Sequence, residues 1–142
     1  MKVVATLHAD WLTDKAYNVT IDLINSGTEF NYIFANNDMM AQGCYNALKD
    51  AGKENIPIVS TGGSPDGFKM LQDGIEAANM TAPVSIQGVK TFMNLYNKVA
   101  LGEDPAEKFT ALPVIPVSAD DTSSYIAWDD YAAAYKYLGE NK

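Results

Sequence analysis

The residues able to do chemistry gather in four short groups: His8–Ala9–Asp10–Trp11, Asn36–Asn37–Asp38, Gly62–Gly63–Ser64–Pro65–Asp66 and Thr81–Ala82–Pro83. Together they offer an indole face, amide and carboxylate groups and open backbone. A planar ring packs on the C–H surface of a polyhydroxylated molecule, and forked amides and carboxylates take its hydroxyls. This is the chemistry of binding a neutral, sugar-like small molecule. Trp11, Asn37 and Asp38 are the candidate ligand contacts. Each has a plainer reading beside it. Trp11 at a helix start also suits a core position. Asp38 also suits a helix cap, which leaves Asn37 the better contact.

Other chemistries lack their parts. His8 is the single histidine and has no Cys, Asp or Glu at a metal-ligand spacing, so no metal site is expected. Any histidine-based triad would have to use it, and no nucleophile elbow occurs. The pairs Asp120–Asp121 and Asp129–Asp130 read as caps and solvated turns. The run GGSPDG at residues 62–67 has neither dinucleotide-binding glycine spacing nor a phosphate-loop lysine. It reads as a tight turn with Ser64 as N-cap and Pro65 at the first helical position. No cofactor and no catalysis are expected. A single cysteine, Cys44, excludes an internal disulfide. A formal net charge of −8 opposes phosphate backbones, so nucleic acid is not an expected partner. The opening residues lack the apolar region and small-residue cleavage site of a signal peptide.

Each chemical group directly follows a short strand-like run. Such runs are read at residues 2–7, 32–35, 56–61 and 77–81. Helical patterns follow at residues 11–26 with Asp10 as cap, at 38–51 with Asn37 or Asp38 as cap, and at 65–74. A longer helix is read at residues 83–101, stopped by Gly102, and a last one at 130–138 capped by Asp129. Residues 112–117 are extended, but Pro113 and Pro116 confine them to an edge or a crossing segment. Strand and helix in alternation predict an α/β fold, a parallel sheet with helices on both faces. In such sheets ligands sit beyond the carboxyl ends of the strands, where the four chemical groups lie.

The phrase FANNDMMAQGCYNALKDAG at residues 34–52, followed by IPIVSTGGSPDG at 56–67 and Asp73–Gly74, with HADW ahead of both, resembles ribose-type periplasmic binding proteins of the type I fold. The resemblance covers residues 2–118. It implies a hinge-closing, two-lobed receptor for a monosaccharide or related solute, of which this chain holds an incomplete lobe. Residues 1–82 would be part of the C-terminal lobe. Residues 83–118 would cross the hinge and pack on the other lobe, and residues 119–142 would form a tail with a short helix.

By the same resemblance Trp11 stacks on the sugar and Asn37 bonds its hydroxyls. The family's sugar-gripping aspartate is replaced by Gly62 and its hinge glutamine by Ala82, which points away from ribose itself. The longer parent would serve the permease of an ABC importer, in the periplasm or anchored by lipid at the cell surface. The alternative on the same fold is the effector domain of a sugar-responsive transcription regulator of the LacI type. The stripe Val89, Phe92, Tyr96 and Val99 would lose its partner in an isolated lobe. It is expected to repack on its own sheet or to pair with a second copy by swapping.

Overall fold

The computed structural model describes residues 1–105, 107 and 109–140. Ala106 and Lys108 of the expected crossing segment, and Asn141 and Lys142 of the expected tail, lie outside the described residues. The order is α1 (Thr13–Asn25), β1 (Ile33–Ala35), α2 (Asp38–Asp50), β2 (Ile58–Gly62), α3 (Pro65–Gln72), β3 (Glu76–Thr81), α4 (Val84–Tyr96), β4 (Ile115–Ser118) and α5 (Tyr131–Glu140). The α/β expectation holds in mixed form. Strands β1, β2 and β3 run parallel and in chain order, and β4 joins β3 antiparallel. Among the described residues no strand pairs with residues 2–7, and Val3, Val4 and Leu7 stay exposed. An apolar run alone supplies no ladder partner, and the β1 edge beside it is three residues long.

One face of the sheet carries the packing. Ile58, Ser60, Asn79, Thr81, Ile115 and Val117 are buried on it, following the pleat. Leu48 of α2 and Met70 of α3 complete one apolar cluster with Ile58, while Leu71, Ile86 and Ala134 complete a second with Ile115 and Val117. Each fully buried Leu or Ile contributes about 1.5–3 kcal/mol. The opposite face holds Phe34 at 56% and Met80 at 36% exposure. Helices α1 and α2 meet closely at Gly43, where an added methyl would run into the Thr13 carbonyl and the Ala16 side chain.

A bulge changes what the packed face contains. Ile58 pairs with Glu76 and Val59 with Ala78, so Ala77 is an extra residue that flips the side-chain parity of β3. Glu76 thereby joins Asn79 and Thr81 on the buried face, with no exposed surface of its own. Its carboxyl lies 3.0 Å from Ser60 Oγ and 3.0 Å from Asn79 Nδ2. Ser60 Oγ and Asn79 Nδ2 also reach Asp38 Oδ1, at 3.0 and 2.7 Å, and each other at 2.8 Å. One hydroxyl proton and two amide protons serve five contacts. That leaves two contacts short of a proton, and a proton on Glu76 supplies one of them. Burial, reinforced by the Asp38 charge, pushes Glu76 up to about 7 against the opposing bonds from Asn79 and Ser60.

Helix α4 starts after Pro83 and widens into a π-helical turn, Asn97–Leu101, that stops at Gly102 in the left-handed region. Its first turns pack on the second apolar cluster through Ile86 and Val89. Phe92, Tyr96 and Val99 remain 53–76% exposed, so the repacking reaches only the start of the expected stripe.

Two outcomes are expected. The folded chain holds the Glu76 proton more tightly than the unfolded chain, whose glutamate titrates near 4.5. Stability should therefore decline as pH rises from about 4.5 through about 7, by up to about 1.4 kcal/mol per pH unit, and then level off. Glu76→Gln should flatten that slope in urea titrations taken at several pH values. Gly43→Ala should cost about 1–3 kcal/mol by forcing α1 off α2, read as a lower urea midpoint.

Candidate functional site

The carboxyl ends of β1, β2 and β3 lie side by side, so the groups after them form one rim. Ahead of α1, Leu12 N–H donates to the Ala9 carbonyl at 2.9 Å, closing a tight turn. Asp10 and Trp11 within it have φ of 48° and 64°. Two adjacent non-glycine residues in the left-handed region are costly and persist where surrounding structure enforces them. The turn leaves the Trp11 indole 61% exposed. Asp10 does not cap α1; it pairs with Lys15 at the surface, 2.6 Å away.

Of the two residues read as possible caps, Asn37 takes that place and Asp38 does not. Asn37 is the N-cap of α2, accepting from Met40 N–H at 2.7 Å. Its amide nitrogen donates to the Trp11 carbonyl at 3.4 Å. Trp11 and Asn37 are thus brought together. Asp38 turns inward instead. It is 5% exposed, with Oδ1 in the Ser60–Asn79 network and Oδ2 accepting from Ser64 N–H at 2.7 Å. Asn36 was passed over as a contact, yet its exposed side chain sits at the very tip of β1.

Asp38 also explains the glycine-rich run. A methyl at Gly62 would come within 2.7 Å of Asp38 Oδ2, and one at Gly67 would strike the same carboxylate. A methyl at Gly63 would meet the Thr81 side chain at 2.6 Å. Ser64 caps α3 by accepting from Gly67 N–H, with Pro65 at the first turn, as the motif predicts. The run therefore closes a turn over a buried carboxylate, and β2 ends with no side chain of its own at the tip.

Sequence reasoning missed the segment that covers this bare tip. Trp128 Nε1 donates to the Gly62 carbonyl at 3.3 Å, and Tyr125 Oη to the Gly63 carbonyl at 3.1 Å. Tyr125 stacks on Phe68 with ring centroids 3.8 Å apart. Ser85 Oγ holds the Ala127 carbonyl at 3.0 Å. The partners are more than 60 residues apart in sequence for the two glycine carbonyls, and no local pattern announces them.

Beside the rim a cavity of about 480 Å³ opens beneath Trp11. His8, Asp10 and Asn36 give it polar groups, and Leu23, Phe30 and Cys44 give it apolar depth. The volume suits a small ligand. Burial pushes the Cys44 thiol up, so it is inert lining. Among the described residues no three of His, Cys, Asp and Glu converge to hold a metal. No helix among them is long and apolar enough to cross a membrane.

Known proteins share both sequence and fold with this chain. The ribose import binding protein of Salmonella typhimurium is 35% identical over 107 residues, covering 75% of this chain. A xylitol-binding protein of Mycolicibacterium smegmatis is 37% identical over 75 residues, covering 52% of this chain and 22% of its own length. The chain spans 36% of the length of the ribose protein, so it corresponds to one part of a longer relative. An ABC transporter solute binding protein from Bacillus halodurans C-125, solved with bound myo-inositol, superposes with a TM-score of 0.75. It covers 98% of this chain and 44% of its own, at 21% identity, and so shares the fold. A model of the periplasmic binding protein domain matches residues 1–104, and the chain belongs to that family.

Proposed function

We propose that this chain is part of a receptor lobe that captures a monosaccharide or polyol at the strand tips. Within a longer protein it would deliver the solute to an ABC-type importer from outside the cytoplasm. The observation that carries the reading is the bond from the Asn37 amide to the Trp11 carbonyl, which ties the turn ahead of α1 to the tip of β1. It sets a solvent-facing indole beside amide groups on one rim, which suits a ring with one C–H face and a hydroxyl edge. The named ligands of the relatives, ribose, xylitol and myo-inositol, are of this class.

Within this proposal Trp11 supplies the stacking face. Asn37 has its carbonyl oxygen committed to α2 and one amide proton to the Trp11 carbonyl, so one amide proton is left for a ligand. Asn36 adds the free-standing amide next to it. Asp38 acts at one remove, by fixing the N-terminus of α2 and the turn after β2. The β2 tip offers a ligand no side chain of its own, and its Gly62 carbonyl is already taken by the Trp128 indole.

Calorimetric titration with D-ribose, xylitol and myo-inositol tests the reading. Binding of at least one is expected, and Trp11→Ala should weaken it at least tenfold, about 1.4 kcal/mol. The melting temperature should hardly move, since the indole is largely in solvent. A large melting loss with unchanged affinity would make Trp11 a packing residue, and no binding by any of the three would remove the receptor reading.

A further inference from the structure

We propose that Trp128 forms a second aromatic wall of the ligand hollow, standing over the tip of β2 where the strand itself can carry no side chain. This inference rests on the receptor reading above. Gly62 is barred from bearing a side chain by the Asp38 carboxylate and by its φ of 135°. The strand next to Asn37 would therefore present only backbone to a ligand. Instead a residue 66 positions away fills the place, its indole N–H fixed on the Gly62 carbonyl.

The indole is held rather than loosely placed. Tyr125 clamps the adjoining Gly63 carbonyl and stacks on Phe68 of α3. Ser85, at the start of α4, holds the backbone one residue before Trp128. Three anchors from three elements, α3, α4 and the turn after β2, converge on residues 125–128. A ring fixed in this way loses little conformational freedom when a ligand stacks on it. Trp128 is half-buried, with part of the ring still open to solvent. Because its N–H is already taken by the protein, the ring offers a ligand an apolar face and not a donor. Trp11 is tied to Asn37 just after β1, and Trp128 to the end of the neighbouring β2; the hollow of this proposal lies between these two rings, with Asn36 and Asn37 as its floor. Two ring faces flanking a polar floor favour a cyclic polyol with two C–H faces, such as a pyranose or an inositol, over a linear polyol.

The chain has two tryptophans, which makes the test direct. The full chain carrying Trp11→Phe emits from Trp128 alone, and the chain carrying Trp128→Phe emits from Trp11 alone. Each is titrated with D-ribose, xylitol and myo-inositol, and acrylamide quenching is measured without and with sugar. The expected result is a saturable change and reduced quenching at Trp128, with the same Kd that calorimetry gives for that same variant. Trp128→Ala should raise Kd at least tenfold for a cyclic ligand and less for xylitol. A sugar-dependent signal from Trp11 with a silent Trp128 would overturn this inference and leave the receptor reading standing. Silence at both positions, with flat calorimetry, would bring down both.

Discussion

One buried carboxylate governs the architecture of the strand tips. Asp38 begins α2, yet its oxygens reach β2 through Ser60, β3 through Asn79 and the turn before α3 through Ser64. Four elements are tied to a single side chain. A buried charge is tolerable only when its lone pairs are satisfied, and here three donors from three elements satisfy them. The glycines at 62 and 67 follow from the same constraint, because the space a side chain would take belongs to that carboxylate. Glu76 extends the network down β3, and the orphaned Asn79 carbonyl oxygen marks its one unsatisfied atom. The amide is oriented with both protons toward the acids, which leaves its oxygen without a donor.

Much of this fold was legible because local signals agreed with one another. Ser64, Pro65 and Gly74 bracket α3 as capping chemistry requires, and the long run from Pro83 stops at Gly102. The burial of Cys44 and Leu48 on α2 also follows from helical periodicity. Failures came where long-range pairing decides. Residues 2–7 look like a strand in every local respect and find no ladder. Asn37 and Asp38 are adjacent and chemically alike, and only the position of Ser60 and Asn79 determines which one caps and which one turns inward. Glu76 begins a run whose parity is reset by a bulge, so its burial is invisible to a period-2 reading. Trp128 reaches the rim through tertiary contacts alone.

The packed and open surfaces divide unequally. The sheet face bearing Phe34 and Met80 and the outer side of α4 bearing Phe92, Leu95 and Val99 are apolar and exposed. Scattered apolar residues on a surface are ordinary, but two such surfaces on a short chain are more than a monomer usually leaves open. They agree with the share of the relatives' length that this chain occupies. The apolar inventory is balanced for a larger body, and Ile86 is the point at which α4 is nonetheless fastened to this one.

The excursion between β3 and β4 departs and returns at a single place. Thr81 ends β3, Ile115 begins β4, and the Thr81 hydroxyl donates to the Ile115 carbonyl at 2.7 Å. Outgoing and incoming backbone are stitched together there by that bond at the end of an antiparallel ladder. With Ile86 and Val89 packed on the cluster just beyond it and Ser85 fixed on the Ala127 carbonyl, the first turns of α4 move with the sheet, and any freedom on the excursion begins past them.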